Sequence, residues 1–148
     1  MSSKRRVLFL CTGNSVRSQM AEGLVNHFLG DRWQAFSAGT RPAERVHPLA
    51  VQAMAELGID IAAARPKPAA AYTGTRFDLV ITVCDDAAEA CPFWPGSGRV
   101  VHMGFADPSL AQGSPEEQLA AFRRTRDAIR QRVLPFLESE GRDVATGL

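Results

Sequence analysis

The sequence lacks a strong charge of either sign and lacks any long apolar run. Its 148 residues carry a formal net charge of +1, which gives no broad attraction to nucleic acid or to anionic membranes. A membrane-spanning helix needs about 18 consecutive apolar residues, and no window of the chain approaches this. The basic residues Lys4-Arg5-Arg6 precede an apolar run too short for a signal peptide. We therefore expect a cytoplasmic protein that binds neither nucleic acid nor membranes. We also expect a monomer.

Cysteine and histidine are also scarce, and their spacing does not suit a metal site. The three cysteines are Cys11, Cys84 and Cys91. They form no Cys-x2-Cys pair, and the three histidines are scattered along the chain. An odd cysteine count in a chain of cytosolic character argues against a structural disulfide framework. We expect no metal and no bound cofactor, which leaves catalytic or redox roles open for the thiols.

Apolar patterning predicts strands that alternate with helices in a single domain over residues 1–148. Hydrophobic residues make up 45% of the chain, enough for a sizeable core. The predicted strands cover residues 5–10, 33–37, 77–83 and 99–103, and the predicted helices cover residues 17–29, 48–57 and residues from 115 onward. This alternation implies an α/β fold with a parallel sheet covered on both sides.

The last predicted helix has distinct start and stop signals. Ser114 can cap it, Pro115 suits its first position, and Glu117 completes a capping box. Pro135 is expected to kink or end the helix, and the residues from Gly141 onward are expected to be loose.

Chemically capable residues follow the predicted strands. In open parallel sheets the functional site lies beyond the carboxyl ends of the strands. Cys11, Ser37, Cys84 and the segment after Met103 all fall at such ends. The sequence therefore predicts a site at this edge of the sheet.

The run Cys11-Thr12-Gly13-Asn14-Ser15-Val16-Arg17, here called the cysteine loop, joins the first strand to the first helix. The backbone amides of such a loop can surround a tetrahedral oxyanion, and the guanidinium of Arg17 can bind two of its oxygens. Helix-start amides, Arg17 and the hydroxyl of Ser18 would favour the reactive thiolate of Cys11. The loop predicts covalent chemistry at a phosphate-like group. A buried cysteine before an ordinary Gly-Asn turn is the alternative.

Two residues inside the cysteine loop suit a close approach to an anion. Gly13 removes the side chain where the backbone must come near, and Asn14 tolerates left-handed backbone angles while its amide braces the loop.

A second candidate group follows the last strand, at Gly104-Phe105-Ala106-Asp107-Pro108. An aspartate beside a thiolate can act as a general acid that protonates a leaving oxygen. Pro108 restricts Asp107 to extended backbone geometry. The alternative is that the Asp-Pro pair only begins a turn.

The remaining thiols form the pattern Cys84-x6-Cys91. Cys84 follows an apolar strand directly, so we expect it near Cys11. Residues 85–90 can form a short helix that carries Cys91, and unwinding of that helix would let Cys91 reach Cys84. One core thiol and one surface thiol with no joint role are the alternative.

These motifs together resemble the low-molecular-weight phosphatase superfamily in its arsenate reductase branch. The run CTGNSVRSQMAE, from Cys11 to Glu22, is similar to its active-site loop, and Gln19-Met20 stands where phosphatases usually have proline. Ser37-Ala38-Gly39 and Asp107-Pro108 fit as well. The pattern Cys84-x6-Cys91 with the later Asp107 resembles the thioredoxin-coupled arsenate reductases. The resemblance implies a three-layer fold with a four-stranded parallel sheet flanked by helices.

The resemblance also implies a mechanism and a set of roles. Cys11 attacks arsenate, Asp107 protonates the departing oxygen, and Cys84 then attacks Cys11 to release arsenite. Cys91 attacks Cys84, and thioredoxin reduces the resulting disulfide. The segment 84–97, with Gly96 and Gly98, is expected to move during the relay. The implied oxyanion-binding residues are Thr12, Gly13, Asn14, Ser15, Val16 and Arg17, with Ser18 supporting the thiolate and with Asn14 and Ser37 supporting the loop.

Some members of this family bind potassium through the loop asparagine, the serine after the second strand and polar groups after the second helix. Asn14 and Ser37 are present, but residues 61–71 offer no matching threonine or aspartate. We therefore expect the potassium site to be missing.

Other functions remain open. A phosphatase that hydrolyses phosphotyrosine or small phosphoesters would use the same loop and Asp107, and phosphatase activity can persist as a weak side reaction. A non-enzymatic oxyanion-binding or redox-sensing module would need the loop alone. Glutaredoxin with glutathione is the alternative electron donor.

Overall fold

The computed structural model describes residues 4–85, 94–96 and 98–146, with side chains up to residue 140. Its strands are β1 (Arg5–Cys11), β2 (Trp33–Gly39), β3 (Leu79–Thr82) and β4 (Arg99–His102). Its α-helices are α1 (Arg17–Phe28), α2 (Pro48–Ala55) and α3 (Pro115–Thr146), and short 3-10 turns cover Ala69–Tyr72 and Pro108–Leu110. The predictions that fall on residues 86–93, including Cys91, lie outside the described residues.

The four strands form one parallel sheet in the order β2-β1-β3-β4, which confirms the predicted fold class. All four residues of β3 are buried, as its continuous apolar sequence predicted. β4 lies at the edge and is mostly exposed. Within the described residues, no helix has the length and apolar character needed to cross a membrane.

Alternating side chains of β1 divide the interior into two cores. Val7, Phe9 and Cys11 face the larger core, which the three α-helices cover. Leu8 and Leu10 face the smaller core, where the described partners include Phe77, Val80 and Trp94. Because strand side chains alternate between faces, the sulfur of Cys11 begins on the side of the sheet that carries α1.

Strand register brings the predicted site positions to one edge. Cys11 pairs with Gly39 at the end of β2, and Leu10 pairs with Thr82 at the end of β3. The amide of Val83 donates to the carbonyl of Leu10 at 3.0 Å, which extends this alignment by one residue. The carboxyl ends of the three strands therefore meet around Cys11.

Helix α3 begins as predicted but ends later. The amide of Glu117 donates to Ser114 Oγ at 3.1 Å and the amide of Ser114 donates to Glu117 Oε1 at 3.0 Å, which confirms the capping box. Pro135 and Gly141 do not end the helix, because α3 runs to Thr146. A kink at Pro135 and a loose tail from Gly141 stay predictions. Val133 and Leu137 are fully buried on either side of Pro135, so packing outweighs the lost backbone hydrogen bond.

Candidate active site

The cysteine loop forms the floor and one wall of a pocket of about 310 Å³ at the carboxyl edge of the sheet. All seven loop residues line it, together with His47, Asp107 and Ser109. The pocket thus joins the segment after β1 to the segments before α2 and after β4. Two separately predicted groups, the cysteine loop and Asp107, share this one cavity.

Cys11 carries a free thiol, and the residue as a whole is only 2% exposed. The backbone amide of Asn14 donates to it at 3.3 Å. Ser18 Oγ lies 2.9 Å from the sulfur and also accepts a hydrogen bond from Asn14 Nδ2 at 2.7 Å. Either the Ser18 hydroxyl or the Cys11 thiol can be the donor in this pair. A thiolate at this position could accept from both the hydroxyl of Ser18 and the amide of Asn14.

The loop carbonyls point away from the pocket. Those of Thr12, Gly13 and Ser15 accept hydrogen bonds of 2.9–3.0 Å from the backbone amides of Arg41, Ala43 and His47. In a trans peptide the N–H points opposite to the C=O. The amides of Gly13, Asn14 and Val16 therefore point inward, where they form a cradle for a tetrahedral anion.

Asn14 holds the loop in this shape. It has a φ of 50°, which lies in the left-handed region, and its side chain is fully buried. Its Oδ1 accepts hydrogen bonds from Gln19 Nε2 at 3.1 Å and from the amide of Lys67 at 2.8 Å. Together with its contacts to Ser18 and Cys11, the residue connects the loop to α1 and to the chain after α2.

Arg17 links the loop to the segment after β4. Its side chain is 6% exposed, and its Nη1 donates to the carbonyl of Phe105 at 3.2 Å. Its Nη2 lies 3.7 Å from Asp107 Oδ2. This guanidinium supplies the positive charge of an otherwise backbone-built anion pocket.

Asp107 begins a turn and also lines the pocket, and its role as a general acid stays a prediction. Its Oδ1 accepts from the amide and the hydroxyl of Ser109, at 2.9 and 2.7 Å, and so caps the 3-10 turn Pro108–Leu110. Its other oxygen faces Arg17 in the pocket. The turn fixes the carboxyl group at the mouth of the site, a position suited to proton transfer.

His47 is a pocket residue that the sequence reasoning missed. Its Nδ1 accepts from the amide of Leu49 at 3.1 Å, so the neutral ring carries its proton on Nε2. Its ring packs 4.7 Å from that of Phe122. Burial lowers the pKa of His47 below 6.5, the charge of Arg45 lowers it further, and Asp107 opposes both. The sequence feature that could have drawn attention to His47 is its position directly before Pro48, where a helix can begin.

Cys84 lies at the same edge, fully buried, immediately after the residue that aligns with Cys11. Val83 belongs to the core that contains Cys11. The alignment of β3 with β1 thus places Cys84 at the edge of the sheet where the pocket lies. Cys91 lies outside the described residues.

Ser37 is not part of the pocket wall. It is buried one layer behind the loop, where its hydroxyl contacts the carboxylate of Glu22 and lies 3.4 Å from Lys67 Nζ. In the part of the chain that the structure describes, no cluster of three or more His, Cys, Asp or Glu side chains is arranged to hold a metal ion.

Comparison with known proteins gives the family. Residues 6–146 match the family model for low molecular weight phosphotyrosine protein phosphatase. An arsenate reductase of Halalkalibacterium halodurans is 47% identical over 137 residues, which is 93% of this chain and 98% of that protein. A solved structure of an arsenate reductase in the phosphate binding state has a TM-score of 0.75 at 30% identity, over 91% of this chain and 98% of that one.

A further structural relative is a thioredoxin-dependent arsenate reductase from Corynebacterium glutamicum. It has a TM-score of 0.63 at 28% identity, over 93% of this chain and 64% of that one. The family match spans both the cysteine loop and Asp107, and so takes in the whole pocket described above. The chain belongs to the low molecular weight phosphotyrosine protein phosphatase family.

Proposed function

We propose that this protein reduces arsenate to arsenite by a relay of its three cysteines, which thioredoxin regenerates. The observation that carries the proposal is the hydrogen-bonded sulfur of Cys11 at the base of an amide-lined pocket that also holds Arg17 and Asp107. The arsenate reductases among its relatives support arsenate as the oxyanion. Arsenic detoxification is the role that this reaction serves.

The first step forms a bond between Cys11 and arsenic. Arsenate binds to the loop amides and to the guanidinium of Arg17, and the thiolate attacks the arsenic atom. An arsenate hydroxyl leaves as water after it takes a proton from Asp107. Ser109 holds one carboxyl oxygen of Asp107, which leaves the other turned toward the pocket.

The second step transfers two electrons to arsenic. The thiolate of Cys84 attacks the sulfur of Cys11, and a disulfide forms between them. The sulfur–arsenic bond breaks, its electron pair stays on arsenic, and arsenite leaves. Cys91 then attacks Cys84, so that Cys11 departs as a thiolate stabilised by Ser18 and by the amide of Asn14.

The electron donor completes the cycle. The dithiol of thioredoxin reduces the Cys84–Cys91 disulfide and is itself oxidised. Two further thiols within the chain and a thioredoxin-dependent structural relative support this donor over glutaredoxin with glutathione. Thioredoxin acts in a reducing compartment, so the proposal includes a cytoplasmic location.

Phosphoester hydrolysis is the second candidate, because the family model describes phosphatases and the pocket contains a thiol, an arginine and an aspartate. Water would then replace Cys84 in the second step. Hydrolysis makes no use of Cys84 or Cys91, so we expect it only as a weak side activity.

The test measures arsenite formation with thioredoxin, thioredoxin reductase and NADPH for the wild type and for Cys11→Ser, Cys84→Ser and Cys91→Ser. Each substitution should abolish sustained turnover. Cys91→Ser should still release one equivalent of arsenite and accumulate a Cys11–Cys84 disulfide, which peptide mass mapping detects.

Phosphate binding to the same variants is the control, because Cys84→Ser and Cys91→Ser leave the pocket residues intact. Multiple turnovers by Cys91→Ser with thioredoxin would contradict the relay. Rapid p-nitrophenyl phosphate hydrolysis without arsenate reduction would favour the phosphatase.

A further inference from the structure

A second polar cluster lies directly behind the cysteine loop and contains one cation. Lys67 Nζ is 3.1 Å from the carbonyl of Arg65, 3.4 Å from Ser37 Oγ and 3.7 Å from Glu22 Oε1. Ser37 is fully buried, and the side chains of Lys67 and Glu22 are 29% and 26% exposed. The ammonium therefore lies among a carboxylate, a hydroxyl and a backbone carbonyl, which are oxygen ligands typical of a bound alkali cation.

The cluster is connected to the reacting sulfur without a break. The carbonyl of Arg65 accepts from Lys67 Nζ and also, at 3.0 Å, from Gln19 Nε2. Gln19 Nε2 donates in turn to Asn14 Oδ1, and the amide of Lys67 donates to the same oxygen at 2.8 Å. Asn14 donates to the sulfur of Cys11. Both the backbone and the side chain of Lys67 thus act on the residue that shapes the loop.

Some relatives are expected to hold potassium in this region, but the residues present here do not fit a potassium ion. A free cation among these oxygens would meet the like charge of the Lys67 ammonium. The chain has 17 basic residues, of which only Lys4 and Lys67 are lysines. An ammonium is a compact point charge, comparable in shape to an alkali ion, whereas the guanidinium of arginine is a wide plane.

We infer that the ammonium of Lys67 is a built-in cation that takes the place of a free potassium ion and positions the cysteine loop through Glu22, Ser37 and Asn14. Lys67 is on this account a positioning residue that does not touch the oxyanion. Only the kinetic part of the test rests on the proposed arsenate reduction. Binding of inorganic phosphate to the pocket tests the inference independently.

The experiment compares wild type with Lys67→Met in potassium chloride, ammonium chloride and choline chloride at equal ionic strength. Phosphate affinity is measured by calorimetry, and KM and kcat for arsenate are measured alongside. The phosphate affinity and the kinetic constants of the wild type should be the same in all three salts. Lys67→Met should bind phosphate about fivefold to tenfold more weakly in choline, the scale of losing a charge-assisted contact. Potassium or ammonium should restore most of this affinity.

Lys4→Met, which removes the exposed lysine, is the matched control and should behave as wild type. In the double variant Lys67→Met with Glu22→Gln, the salt response should disappear, because the carboxylate that attracts the added cation is gone. If Lys67→Met does not fold in choline, Lys67→Gln replaces it in the same comparison, and the response of the wild type to potassium stands as the deciding measurement.

Three outcomes would overturn the inference. They are unchanged phosphate affinity in Lys67→Met, weakened affinity that neither potassium nor ammonium restores, and potassium activation of the wild type. Phosphate binding that follows the expected pattern without any arsenate reduction would retain the inference and reject the proposed function.

Discussion

The chemistry of the pocket depends on single residues, and only some of them could be identified from the sequence. Cys11, Arg17 and Asp107 occur in motifs whose spacing indicates their use. His47 and Lys67 reach the site or its support only through tertiary contacts. Neither has a motif, so residue type and spacing alone did not identify them. The roles proposed for Cys84 and Cys91 stay predictions.

The histidine in the pocket makes stability depend on pH. The pKa of His47 is lowered from 6.5 in the folded protein, chiefly by burial. The unfolded chain therefore takes up a proton more readily, and stability present above pH 6.5 is lost as the pH falls. The variant His47→Asn keeps an acceptor for the helix cap but does not titrate. It should lose less stability than wild type between about pH 7.5 and about pH 5.

Urea unfolding at several pH values measures this difference. His27→Asn removes an exposed histidine on α1 and serves as the control, which should retain the slope of the wild type. Equal pH slopes for His47→Asn and wild type would contradict the assignment.

At the scale of elements, the hydrophobic pattern predicted each strand and α-helix of the described residues, but not the residue at which each one ends. β3 covers Leu79–Thr82, whereas the predicted strand covered residues 77–83. Helix α3 passes through both Pro135 and Gly141. Proline and glycine mark positions where continuing a helix costs local free energy. In α3 the burial of Val133 and Leu137 offsets that cost.

Pro135 should therefore be a site where α3 can be stabilised. It is exposed and lies inside the helix, where it leaves the carbonyl four residues earlier without its helical donor. Replacement by alanine should raise the free energy of unfolding by about 1–3 kcal/mol. Calorimetry should show a higher Tm. Gln131→Ala, at another exposed position of α3, is the control and should change Tm little, because glutamine and alanine are both good helix formers. An unchanged or lower Tm in Pro135→Ala would contradict this account of the helix.

At the scale of the whole molecule, the sequence predicted a parallel sheet but not the order of its strands. The order of the strands depends on the direction in which each connection between strands crosses the sheet. The pattern of apolar and polar side chains does not indicate that direction. The order β2-β1-β3-β4 places the ends of β1 and β2 side by side. Gly39 lies where these strands, the cysteine loop and the chain after α2 come together, since its amide donates to the carbonyl of Lys67 at 2.8 Å.

This junction leaves no space for a side chain. A Cβ on Gly39 would lie 2.5 Å from the carbonyl oxygen of Thr12 and 3.0 Å from the amide of Asn14. Gly39→Ala should push the cysteine loop out of place and weaken phosphate binding by about tenfold or more. Gly74→Ala is the matched control, because a Cβ there meets no atom within 4 Å. Calorimetric titration with phosphate compares the two, and equal affinities would show that the loop tolerates displacement.

The burial of Cys11 limits which reagents can reach its sulfur. With 2% of the residue exposed and the loop amides around it, an electrophile must be small enough to descend into the pocket and must bring negative charge to satisfy those amides. A bulky alkylating reagent fails the first condition, and an uncharged one fails the second. On the proposed role of Cys11 as the nucleophile, the shape and polarity of the pocket would protect its thiol from general thiol reagents while a small anion can still reach it.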